Sequence, residues 1–100
     1  MNQQIIERAI REKSVVTFNY GGHSRHVEPH ILGVNGGSLQ LLGYQIGGSS
    51  RSGGPLPEWR RFELDRITNL SITTRKFSGR RSFPSGRHSS WDRKIIIVDS

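Results

Sequence analysis

The chain has 100 residues, no cysteine and a net charge of +7. That length buries one modest core in a single domain, and without cysteine there is no disulfide framework or thiolate metal site, which suits a reducing cytoplasm as well as any other compartment. No basic-then-apolar leader opens the chain and no apolar run is long enough to span a bilayer, so a soluble cytoplasmic protein without a membrane partner is expected.

In chain order, QQIIERAIREK places Ile5, Ile6, Ala9 and Ile10 on one stripe, which predicts a short amphipathic helix. VVTFNY follows as a strand with Val16, Phe18 and Tyr20 on one face, ended by a glycine pair. SRHVEPHILGV is the second strand, in which Pro29 marks an edge or a bulge. Asn35-Gly36-Gly37 supplies the positive φ angles of a tight hairpin into the third strand, SLQLLGYQI. GGSSRSGGPLP, residues 47–57, reads as a binding or disordered loop. EWRRFEL and NLSITT are the fourth and fifth strands, joined through DRI.

Five short strands and one helix predict a mainly β fold: a small five-stranded SH3-like or Sm-like barrel with an N-terminal α-helix and a basic C-terminal extension. Phe18, Leu39, Leu41, Phe62, Leu64, Ile67 and Ile72 are the expected core. The barrel is expected over residues 1–74 and the tail over 75–100. The KIIIV segment at 94–98 is too apolar to stay in water, so it is expected as an added strand on the chain's own barrel edge or on a second copy in a homo-oligomer.

The positive charge is concentrated in the tail. Residues 1–74 hold eight Lys and Arg against six Asp and Glu, whereas residues 75–100 hold seven against two. Arg75, Lys76, Arg80, Arg81 and Arg87 lie among Phe77, Phe83 and Trp91, a composition suited to phosphate contact and base stacking on single-stranded nucleic acid, or to a solvated end.

EWRRFELDRITNL poses the sharper question. If Phe62 and Leu64 point into the core, period-two alternation points Arg60 the same way, and an inward cation needs a carboxylate, water or an external anion. Arg61 and Glu63 then form the solvent face. Carboxylates within reach in sequence are Glu28 for Arg25 and Asp65 for the turn at Arg66.

The opening helix, the strand ending in Tyr20, RHVEP at 25–29, a strand after a glycine turn and RRFELDRI at 60–67 together resemble the WYL domain, a bacterial sensory module with an Sm-like barrel. The resemblance spans residues 3 to 74. Leu39-Gln40-Leu41 stands where the family is named for Trp-Tyr-Leu, so an amide replaces a stacking phenol. The resemblance implies a regulatory, ligand-sensing role linked to transcription regulation, DNA damage or phage defence, with nucleic acid or a nucleotide-like ligand in a basic pocket. Carried over by position, the ligand-binding residues are Tyr20, Arg25, Gln40, Arg60 and Arg66. In the family the barrel usually accompanies a winged or helix-turn-helix DNA-binding domain, for which these 100 residues leave no room.

Catalysis is not expected. His26 and His30 are separated by Pro29 and, on a strand, by about 13 Å at ~3.3 Å per residue, so they do not pair as metal ligands. No nucleophile elbow, phosphate-loop lysine or dinucleotide glycine pattern is present, and no cofactor is implied. Two functions remain: a sensor of single-stranded nucleic acid or a nucleotide, and an assembly module that docks a regulatory protein through the barrel edge and helix.

Overall fold

The apolar stripe of the N-terminal segment becomes helix α1 (Asn2–Glu12), which buries Ile6, Ala9 and Ile10. In the computed structural model, which describes residues 2–50, 53–83 and 90–100, the helix covers an antiparallel sheet. Its strands are β1 (Ser14–Tyr20), β2 (His23–Asn35), β3 (Ser38–Gly48), β4 (Glu58–Glu63), β5 (Thr68–Lys76) and β6 (Arg93–Ile97), with one 3-10 turn at Leu64–Arg66.

The hydrogen-bonded order is β4-β3-β2-β1-β5, and β6 pairs with β2 beside it. The mainly β architecture with an N-terminal helix is as expected from the sequence, with a sixth strand added and the sheet open between β4 and β5. Among the described residues no ladder joins β4 to β5, because the chain passes between them through the Leu64–Arg66 turn. The tight turns follow their glycines: Gly21 and Gly22 (φ 60° and 78°) join Tyr20 to His23, and Gly36 and Gly37 (φ 60° and 76°) join Asn35 to Ser38.

Register places the core. Val16 and Val27 face each other on β1 and β2, as do Leu32 and Leu41 on β2 and β3, and Leu41 and Phe62 on β3 and β4. All are buried in one cluster with Phe18, Leu64 and Ile67, and Leu39 and Ile72 pack against it partly buried. Phe62 meets Phe18 and Tyr20 edge-to-face, both at 5.0 Å between ring centroids.

β2 is thirteen residues long because it serves two partners on one side. Its first part pairs with β1 and its last part, from Ile31 to Val34, pairs with β6. The register against β3 slips between Pro29 and Ile31, so His30 is the extra residue of a bulge. Beyond β6, Val98 is fully buried in the core cluster and its amide donates to the His30 carbonyl at 2.8 Å.

Gly33 fits β6 to β2. A Cβ there would stand 2.5 Å from the Arg93 carbonyl oxygen and 2.7 Å from Trp91 Cε3. Gly33→Ala is expected to push β6 outward at a cost of roughly 1–3 kcal/mol, the range for overpacking. Thermal melting measures the loss, and amide exchange at Ile96 and Ile97 should rise before that at Leu41.

Candidate anion-binding site

Alternation along β4 turns Phe62 and Arg60 toward the helix-covered face and leaves Trp59, Arg61 and Glu63 on the other. The same alternation on β3 turns Leu41, Gly43 and Gln45 inward. Gln45 is fully buried, and it organises the polar end of the core. Its side-chain oxygen accepts from Arg25 Nη1 at 3.2 Å, and its Nε2 donates to the carbonyls of Gly47 and Ser49 at 3.0 and 3.2 Å. The loop after β3 is thereby tied to the site.

Arg25 is 5% exposed. Its Nη2 donates to the Tyr20 carbonyl at 3.0 Å, and its guanidinium lies 5.5 Å from the Tyr20 ring centroid and 5.7 Å from that of Phe62. Burial first, and then the neighbouring Arg60 charge, hold its pKa below the usual arginine value. Arg60 binds Glu58 at 3.1 Å and donates to Ser50 Oγ at 3.0 Å. The inward cation thus finds a carboxylate two residues back on the same face. Even so, the Nε–H groups of both Arg25 and Arg60 are buried without a hydrogen-bond partner among the described residues.

Arg66 closes the group from the 3-10 turn. Its guanidinium lies 5.0 Å from the Tyr20 ring centroid, and it pairs with Glu63 at 3.6 Å, with Asp65 exposed beside it. The Tyr20 hydroxyl accepts the Glu63 backbone N–H at 3.1 Å. Tyr20, Arg25 and Arg66 therefore share one end of the sheet, and Arg60, on the inward face of β4, is near enough for its charge to act on Arg25.

Gln40 does not join them. It pairs with Glu63 across β3 and β4, and its side-chain oxygen accepts from Arg61 Nη1 at 3.2 Å. Arg61 lies 4.1 Å from the Trp91 ring centroid on that outer face. Gln45, Glu58 and Ser50 are the site residues that sequence reasoning missed. The inward alternation of Leu41, Gly43 and Gln45 was the available signal for the first of them.

The C-terminal cations fare differently from one another. Arg75 is exposed at the end of β5, and Lys76 Nζ donates to Ser14 Oγ at 2.8 Å. Arg80 donates twice to the Val98 carbonyl at 3.1 and 2.9 Å, and Arg81 grips the nearly buried Glu28 carboxylate at 2.6 and 3.0 Å. Glu28 thus pairs with Arg81, not with Arg25. Arg87 lies outside the described residues. Among the described residues no cluster of three His, Asp or Glu side chains is placed to hold a metal ion, and no helix is long and apolar enough to cross a membrane.

No curated protein matches the chain in sequence. Among solved structures it is similar to the proteasome accessory factor B/C (PafBC) of Arthrobacter aurescens, with a TM-score of 0.65 and 25% identity. The likeness covers 84% of this chain but only 13% of that one. The family model of the WYL domain matches residues 2–72, from the opening helix through Ile72 on β5 and across every residue that meets at Tyr20. With most of its length matched and its strands in place, the chain belongs to the WYL domain family.

Proposed function

We propose that the chain is a non-enzymatic, regulatory ligand-sensing domain that binds single-stranded nucleic acid or a nucleotide-like anion where Arg25 and Arg66 lie against Tyr20 and Arg60 stands near Arg25. The observation that carries this reading is the pair of buried, unpartnered Nε–H donors on Arg25 and Arg60. Leaving a buried donor of a charged group unpaired is costly, and an anionic oxygen placed beside either one would satisfy it with a charge-assisted bond. A base stacked near the Tyr20 ring would complete recognition of a nucleotide.

The strand order, with β4 and β5 brought round by a three-residue turn, supports an Sm-like barrel left open between those strands. Membership of the WYL family, with the likeness to an accessory factor of the proteasome, supports a regulatory role; a cytoplasmic location and a link to transcription, DNA damage or phage defence belong to the same proposal. Arg75 and Lys76 would add sequence-independent phosphate contacts from the end of β5, whereas Arg80 and Arg81 would first have to leave Val98 and Glu28.

Fluorescence anisotropy with a short single-stranded DNA tests the site. Arg60→Ala is expected to weaken binding by roughly 10- to 100-fold, the loss of a charged hydrogen bond worth about 1.5–3 kcal/mol, with the melting transition preserved. Arg60→Lys should recover part of the affinity, because an ammonium cannot reproduce the guanidinium fork. Arg66→Ala should act in the same direction. Unchanged affinity in folded Arg60→Ala and Arg66→Ala would move the function to assembly, for which the outer edges of β4 and β5 offer unpaired backbone.

A further inference from the structure

The segment 77–83, which lies beyond the part of the chain that the family model matches, runs from Phe77, packed against the core cluster, to the outer face of the sheet, where Arg81 lies over Tyr44 and Phe83 meets Trp59. This segment is a strap with His30 as its post. Phe77 stacks on the His30 ring at 5.3 Å, Phe83 meets it edge-on at 6.0 Å, and Trp59 closes the third side at 4.8 Å. His30 is fully buried, and the bulge in β2 is what frees its ring from the ladder with β3.

Both ring nitrogens are engaged, in opposite senses. Nδ1–H donates to the Glu28 carbonyl at 2.9 Å, and Nε2 accepts the Arg81 backbone N–H at 3.3 Å. The carbonyl can only accept and the amide can only donate, so the arrangement requires the neutral ring with its proton on Nδ1. A second proton would set Nε2–H against the Arg81 N–H.

We propose that His30 is a proton-sensitive latch, whose protonation releases the 77–83 strap from the outer face of the sheet and uncovers Trp59 and Tyr44. The charged groups facing the ring are Glu28 on its own strand and Arg80 and Arg81 on the strap, while Tyr44 on β3 lies beyond Trp59 and beneath Arg81. Burial, the largest influence, lowers the ring's pKa below the ordinary 6.5; the Glu28 carbonyl and carboxylate oppose this, and Arg81 and Arg80 reinforce it. The released ring, in water, titrates near that ordinary value. The strap is therefore held fully above about pH 6.5, and its docking weakens as pH falls below it, down to the lowered pKa of the docked ring. Because Trp59 precedes Arg60 on β4, strap release acts on the reverse side of the strand that presents the anion-site cation.

NMR titration of the full chain reads the latch. The released population is expected to rise with falling pH by up to about tenfold per unit below pH 6.5, the limit for one proton. His30 ring nitrogen shifts, the Arg81 amide and the Phe83 ring should report one shared midpoint while the Phe18 and Phe62 rings stay native. His30→Gln keeps a neutral donor and acceptor at every pH, so its strap signals should not move over the same range. The proposal is overturned if the His30 ring protonates with the strap still docked. It is also overturned if the strap and core signals disappear together, or if the strap transition persists in folded His30→Gln. Should that variant not fold, the shared midpoint in the parent chain decides alone.

Discussion

Phe62→Ala is expected to remove most of the domain's stability. The Phe62 side chain is 1% exposed and is the ring on which Phe18 and Tyr20 both converge edge-to-face. Deleting a buried phenylalanine ring costs roughly 3–5 kcal/mol, since transfer free energy is lost and a cavity remains. Domains possess about 5–15 kcal/mol in all, and one of 100 residues sits toward the lower end. The loss should also reach the site: the Arg25 guanidinium lies over the Phe62 and Tyr20 rings and would have one wall removed. Circular dichroism should show a melt shifted far down or absent. A melting temperature equal to the parent's would mean that the residues around Phe62 collapse onto the space, and the placement of Arg60 beside it would lose its support.

Cutting the chain after Thr74 is the second large effect. A chain of which residues 1–74 were a complete barrel would tolerate the cut and lose only basic charge. The packing sets the expected result the other way. Val98 is fully buried in the main core, Ile96 and Phe77 pack against it, and β6 supplies partners for Ile31 to Val34 of β2. Fully burying one apolar side chain contributes roughly 1.5–3 kcal/mol, so losing buried Val98 together with partly buried Ile96 and Phe77 removes a large share of the roughly 5–15 kcal/mol a domain possesses. The cut also takes Arg81 from Glu28, whose side chain is only 6% exposed, and leaves a carboxylate short of its partner until water reaches it. The truncated protein is expected to be unfolded or molten, without native amide dispersion. A cooperative melt within a few degrees of the full chain would show that residues 1–74 stand alone. The tail's charge could then be assessed separately by the salt dependence of DNA binding, whose log-log slope steepens by about 0.7 for each single-strand phosphate that the tail neutralises.

The two variants bear on different parts of the molecule. Phe62 joins β4 to β3 through its pairing with Leu41, strands whose pairing spans the 49–57 connection. Val98 joins the last residues to the sheet centre at His30. Both contacts are distant in sequence, so each ties together segments that local preferences cannot hold by themselves.

The helix, the two glycine hairpins, the strand alternation and most of the core were determined by the sequence itself, because each depends on neighbours within a few residues. Ile6, Ala9 and Ile10 share a helix stripe at any position in space, and Gly36-Gly37 turns the chain wherever it lies. The inward aim of Arg60 is of the same kind, since it follows from Phe62 two residues on. That rule also separates Gln40 from Leu39 and Leu41, so alternation by itself sets the amide on the outer face, against its position in the family motif. What the tertiary structure decided is which distant groups meet. Glu28 had Arg25 three residues away but takes Arg81, 53 residues on, because the bulge at His30 and the return of β6 bring the strap across the outer face. The open gap between β4 and β5, the pairing of β6 with β2 and the burial of His30 have the same origin. Each depends on how a sheet's twist and the path of its connections bring remote segments into register, and no local periodicity carries that information.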